Sequence, residues 1–342
     1  METIITPAGE VNYPYTAMDL SAEIAIIPNT YGRLNDMNLM PIESGSSTLV
    51  EIGFENGVLT ILGAAERGQA GPAGAQPTEQ SRIVKIPHFP HQEVIKAGDL
   101  QDKFVFGSGR QQRRSVDTET AKRLMSMRGK FGITLEFGRM GALKGEIRDG
   151  KNVVLYDLFS VFNIQQKVVD FKLGTAGTDV IAKIDEVVHH IEDNLMGEVM
   201  TSVHALVDHQ FFGKLTKHAN VEKYYLQHQA AMSLANDFRQ VFPFRGMTFE
   251  SYRAVASDMT GTSRRFIAAN EGHAFPLGTQ ETFRTHVAPP DHVQFANSVM
   301  DSEIFVSPHV LPHGLGVELK GQMNALPICR RPALLVKIHS SD

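Results

Sequence analysis

Apolar and polar positions change period several times along the chain. Ser47-Thr48-Leu49-Val50-Glu51-Ile52-Gly53-Phe54-Glu55 alternates like a half-buried strand. Asn56-Gly57 follows, then Val58-Leu59-Thr60-Ile61-Leu62, and an Asn-Gly between two such runs predicts a hairpin. After Gly68-Gln69-Ala70-Gly71-Pro72-Ala73-Gly74-Ala75-Gln76-Pro77, the run Ser81-Arg82-Ile83-Val84-Lys85-Ile86-Pro87-His88-Phe89 returns as a strand. Pro87 and Pro90 place it on an edge. The Gly/Pro/Ala/Gln tip lacks the β-branched and aromatic side chains a core needs, so it reads as a finger. Upstream, residues 1–45 are rich in Tyr, Ile, Leu and Met but carry Pro14, Pro28 and Pro41. They read as an extended arm that buries its apolar residues on something else, with 21–27 able to form a short helix or strand.

Downstream the period lengthens. Ala121, Leu124, Met127, Phe131, Leu135 and Ala142 keep helical spacing and predict one long helix over 117–144, capped by Asp117 or Thr118. It would approach ~40 Å at ~1.5 Å per residue. Gly129, Gly132, Gly138 and Gly141 weaken it, predict a bend and permit close approach of another backbone. A turn at Asp149-Gly150 predicts a second hairpin over 146–156. Val180, Ile184, Val187, Val188 and Ile191 form a helical stripe after the cap at Asp179. Val199, Val203, Leu206 and Val207 suggest another helix, and 221–239 a third. Strands dominate after Phe242-Pro243-Phe244, and Leu334-Leu335-Val336-Lys337-Ile338 predicts a closing strand in the sheet beneath the long helix.

The 342 residues exceed what one core usually serves, so two lobes are expected, the second from about residue 165. A net charge of -5 argues against a dedicated, sequence-specific nucleic-acid binder. A mildly acidic surface can still line a container for DNA without trapping it. Cys329 is the one cysteine, which excludes an intrachain disulfide framework and reads as a small buried hydrophobe. No apolar run is long enough to span a bilayer, and Met1-Glu2-Thr3-Ile4-Ile5-Thr6 lacks the features of a secretory leader. A cytoplasm is the expected compartment.

Candidate chemistry is thin. There is no Walker loop, no His-Glu-x-x-His and no Gly-x-Ser-x-Gly. Gly107-Ser108-Gly109-Arg110 lacks the third glycine of a dinucleotide loop and reads as a turn. His189, His190, His204 and His209 fall on predicted helices near carboxylates, where a solvated or interface-facing surface is the plainer reading than a metal site. No catalytic, cofactor or metal residue is assigned. The basic doublets Arg113-Arg114, Lys122-Arg123, Arg264-Arg265 and Arg330-Arg331 read as solvated faces, or as contacts to an acidic subunit or weakly to DNA phosphate.

The order of arm, two-stranded finger, long basic helix, helical lobe and closing strand resembles the major capsid proteins of tailed phages, more narrowly the lambda-type major capsid protein E family. The residues carrying the resemblance are the arm ending near Met40-Pro41-Ile42, the strand 48–54, the Gly/Pro tip and the helix from Asp117. Phe275-Pro276-Leu277-Gly278 and the tail Arg331-Pro332-Ala333-Leu334-Leu335-Val336-Lys337 complete the set. The resemblance implies an α+β, HK97-like fold: an N-terminal arm (1–45), an E-loop hairpin (46–98), a peripheral domain (99–164) with its spine helix, an axial domain (165–325) and a C-terminal strand (326–342) returning to the peripheral domain. It implies hexamers and pentamers tiling an icosahedral head around double-stranded DNA, with no enzymatic activity and no cofactor. A separate scaffolding protein, a portal and a decoration protein are the implied partners. The virion is the implied destination. Some relatives crosslink Lys to Asn between subunits, for which Lys96 and Lys103 are the loosest of candidates. Expected contact residues are Tyr13, Ile26, Tyr31, Gln69, Pro72, Gln76, Arg113, Arg114, Arg123 and Arg128. Two alternatives stand beside this reading: an encapsulin-like compartment shell, and a cytosolic two-lobe metal-dependent enzyme.

Overall fold

The computed structural model describes residues 13–29, 32–56, 78–101, 103–104, 114–234, 240–258 and 261–342. They fall into two compact units, one drawn from Met1–Val50, Lys85–Glu136 and Thr285–Pro327, the other from Glu51–Val84, Phe137–Arg284 and Ile328–Asp342. These limits differ from the boundaries expected at 165 and 325, since Thr285–Pro327 groups with Lys85–Glu136.

In the first unit an antiparallel sheet pairs Phe89–Lys96 with Gly316–Met323, and Gly316–Met323 with Ile304–Val310. The run expected as one strand over 81–89 ends at Lys85, and beyond Pro87 a separate strand, Phe89–Lys96, which contains Pro90, lies on the edge of this sheet. Leu124, Met127, Phe131 and Leu135 of the long helix join Ile95, Val306, Leu319 and Met323 in the core.

The arm corrects the sequence expectation. Within the described residues it is docked on its own unit. Thr16 opens the helix Ala17–Ile26 through a capping box with Asp19. Leu20 and Ile24, one turn apart, are buried in the unit's core, and Ser21 Oγ accepts from Val306 N at 3.0 Å. Glu136 of the long helix accepts from Leu34 N and Asn35 N, both at 2.8 Å, and so caps the short helix Arg33–Met37. Ile42–Ser44 then pairs in parallel with Thr285–Val287. The prolines flank these elements rather than interrupt them, which is why a proline-spaced segment still folds.

The long helix runs Val116–Lys144. Ser115, not Asp117 or Thr118, serves as its cap: its Oγ accepts from Thr118 N at 3.2 Å. Two of its glycines admit close neighbours. A Cβ at Gly132 would lie 2.6 Å from Asn29 Oδ1, and one at Gly141 would lie 2.9 Å from the Glu146 carbonyl oxygen.

The second unit is organised by a six-stranded mixed sheet. Its order is Lys167–Asp170, Val336–His339, Glu271–Leu277, Ser202–Val207, Met247–Ser251, Val241–Phe244. Ser202–Val207 was expected to be helical. It lies between two strands and buries Val203 to Val207 without alternation, a pattern that periodicity cannot separate from a buried helix. The helices Val180–Asn194 and His209–Lys217 pack Ile184, Val187, Ile191, Phe211 and Leu215 into a core that also holds Phe171 and Phe249. The closing strand Val336–His339 sits between Glu271–Leu277 and Lys167–Asp170. The hairpin at Asp149-Gly150 is present as Glu146–Arg148 and Val154–Asp157, with Asp149 Oδ1 accepting from Lys151 N and Val153 N. The third helix is Glu222–Leu234.

Candidate subunit-contact surface

The strands Leu49–Asn56 and Thr78–Lys85 pair as a two-stranded sheet. Ile52 and Val84 are each 2% exposed, whereas Ile83 is 71% exposed, so the base of the finger is anchored inward and carries an apolar side chain outward. Arg82 Nε donates to Val161 O at 3.2 Å and fixes the returning strand. Gly57 of the expected turn, its expected partner strand at 58–62 and the Gly/Pro tip lie outside the described residues, and with them Gln69, Pro72 and Gln76. Tyr31 and Arg113 lie outside them too.

Tyr13 is engaged within the chain. Its hydroxyl lies 2.8 Å from Thr120 Oγ1, and its ring meets Tyr15 edge-on at 5.4 Å. Tyr15 donates to Asp117 Oδ1 at 2.8 Å, so both tyrosines fasten the arm to the first turns of the long helix. Burial raises the Tyr13 phenol, and the Asp117 hydrogen bond pushes Tyr15 up to about 12. Both stay protonated at neutral pH.

Ile26 is different. It is 76% exposed at the end of the helix Ala17–Ile26. Ala22 and Met18 are exposed one and two turns before it, so 18, 22 and 26 form an apolar stripe opposite the buried Leu20 and Ile24. Single exposed apolar residues are ordinary, whereas an aligned stripe is a candidate contact surface.

Arg114, Arg123 and Arg128, expected as contacts, each have partners within the chain. Arg114 donates to Phe104 O and pairs with Glu119 at 3.4 Å. Arg123 pairs with Glu93, Asp99 and Glu119 at 3.3–3.5 Å. Arg128 donates to Ile27 O and reaches Glu303 at 4.0 Å. Glu93 also receives Lys130 Nζ and Ser126 Oγ, each at 2.9 Å, and lies 3.2 Å from His91 Nε2. Burial works to raise the Glu93 carboxyl, but the hydrogen bonds from Lys130, His91 and Ser126 and the Lys130 charge prevail and hold it at about 2. Apart from Glu119 and Phe104, these partners are distant in sequence, so the ion pairs do not show when the chain is read along its length.

Other exposed apolar side chains had no sequence signal, because they sit in short runs indistinguishable from core segments. They include Val293 at 96%, Val199 at 77% and Leu315 at 64% exposed. Tyr225 packs against Phe212 and Phe242, and leaves Leu226 on the outer side of its helix.

His204 lies on a strand rather than a helix, buried against Glu250 at 3.0 Å. Among the described residues no group of three or more His, Cys, Asp or Glu side chains is placed to hold a metal ion. Cys329 is buried and its thiol pushed up to about 12 by that burial, as a small core residue. Among the described residues no helix is long and apolar enough to cross a membrane.

This α+β arrangement is the HK97-like capsid fold. It matches the structure titled as a putative capsid protein of a prophage from E. coli CFT073, with a TM-score of 0.61 and 12% identity, covering 96% of this chain and 100% of that one. A phage-related protein from Bordetella bronchiseptica RB50 matches with a TM-score of 0.57 and 9% identity, over 96% and 99% of the two chains. At that identity the likeness speaks for the fold. The family described as phage major capsid protein E matches residues 16–340, and the chain belongs to that family. It is 28% identical to the major capsid protein of Salmonella phage Felix O1, over 94% of this chain and 95% of that one, and 27% identical to that of Pseudomonas phage KPP10, over 97% and 98%. The chain is therefore a structural protein of a phage head shell and not an enzyme. The family match favours the phage head over a cellular compartment shell.

Proposed function

We propose that copies of this chain close into hexamers and pentamers through heterologous, head-to-tail contacts, and that these tile an icosahedral shell around double-stranded DNA. Ring closure requires two different patches that fit each other on successive copies. The observation that carries this reading is the exposed apolar stripe Met18, Ala22 and Ile26 on a chain matched by the capsid family over 16–340. A head subunit covers such a stripe with its neighbour, and an obligate assembly buries more than the ~1,600 Å² of a standard interface.

In this reading the segment 46–98 serves as the E-loop and the helix Val116–Lys144 as the spine. The ion pairs of Arg114, Arg123 and Arg128 stiffen the spine rather than bind neighbours, and the contacts fall to Ile26 and its stripe. The net charge of -5 suits a non-specific lining that lets packaged DNA move. Assembly in a bacterial cytoplasm, assisted by a separate scaffolding protein and joined by a portal and a decoration protein, completes the proposal. Sedimentation velocity on the Ile26→Glu chain tests it. That variant should keep its secondary structure and sediment as small species under conditions where the parent forms rings or shells. Unchanged assembly would refute the role given to the stripe.

A further inference from the structure

The doublet Arg264-Arg265 has no part in the reading above, and it lines a cavity of about 370 Å³ in the second unit. Lys144, Arg148 and Glu146 line the same half-open space, together with Asn152. Three of the four cations already have a carboxylate. Arg148 Nη2 meets Glu146 at 2.6 Å, Arg264 Nε meets Asp258 at 2.7 Å, and Arg265 Nη1 lies 3.7 Å from Asp208. Each of these pairs occupies only part of a guanidinium that carries five N–H donors. Lys144 differs: among the described residues its ammonium has neither a hydrogen-bond nor an ion-pair partner, although the side chain is half-buried.

We infer that this cavity is a binding site for a small oxyanion of the phosphate class, seated between the Lys144 ammonium and the donors left free on Arg148, Arg264 and Arg265. The carboxylates of Glu271 and Glu146 act on the Lys144 ammonium only from beyond ion-pair distance. A charge taken partly out of water without a close counter-charge is costly, and a polyoxyanion supplies both the charge and several acceptors at once. The last turn of the long helix, where Lys144 sits, adds only about half a negative charge. That is less than the lining cations contribute. Burial pushes the Lys144 amine down, and a seated anion would reverse that. The space falls within the range of small-ligand sites, and its concavity fits a free phosphate or diphosphate better than the convex backbone of duplex DNA.

Titration calorimetry of the purified full chain with inorganic phosphate, at ionic strength held constant with chloride, tests this. The expected result is saturable binding of one phosphate per chain, weakened about tenfold or more in Lys144→Met. Arg265→Gln, whose side chain is 56% exposed, should weaken binding without unfolding the chain and serves where Lys144→Met folds poorly. Absence of saturation, affinity unchanged in both variants, or binding of a short DNA duplex that phosphate fails to displace would each overturn the assignment.

Discussion

At the scale of single residues, two buried titratable groups predict how acid acts on each unit. His273 is held neutral by burial first, then by the charges of Lys144 and Lys337, so that its value falls from 6.5 to about 3. The unfolded chain takes up that proton near 6.5 and the folded chain only near 3. The stability His273 confers is complete above the upper value and is lost as pH falls toward the lower one. Glu93 acts in a lower window, from 4.5 down to about 2, because it too is depressed on folding. Urea unfolding at stepped pH checks both. His273→Leu should remove the loss that begins near 6.5, and Glu93→Gln should alter the profile only below 4.5. In the core of the first unit Leu20, 1% exposed, is packed so closely that Leu20→Ala should cost about 2–5 kcal/mol in the same measurement at neutral pH.

At the scale of elements, the long helix offers a paired test. Helix propensity alone says that Gly→Ala stabilises by up to about 1 kcal/mol. At Gly141 the new methyl would meet main-chain atoms, Glu146 O at 2.9 Å and Ile147 Cα at 3.1 Å, which cannot rotate away. At Gly132 the obstacle is the end of the Asn29 side chain, which can. Gly141→Ala should therefore lower the thermal midpoint, while Gly132→Ala leaves it nearly unchanged. The same helix shows what was legible in the chain. Its apolar spacing and the Asp179 cap of Val180–Asn194 are local signals, and both helices lie where the pattern puts them. Ser202–Val207 was misread because a strand buried on both faces has no period of its own, and only its partners decide its state. The ion pairs of the basic residues were illegible for a related reason: the carboxylates that pair with Arg123 stand at 93, 99 and 119, and only folding brings the first two alongside.

For the whole molecule, the order of elements spoke for a shell protein, and the family match bears that out. The arm departs furthest from the expectation of an extended segment that rests elsewhere. Residues 13–44 carry enough apolar side chains at helical and strand spacing to dock on their own unit, with Leu20, Ile24, Leu34 and Met40 all buried. With the arm seated on its own unit, the exposed stripe and outward side chains such as Ile83 are left as the candidate contacts. The contact set was poorly legible, because sequence shows which residues are apolar but not which of them remain outside after folding. Electron micrographs of the full chain, expressed and purified, test the central claim most directly. The account predicts closed rings or shells of regular size; a chain that remains a monodisperse monomer as its concentration is raised would contradict it.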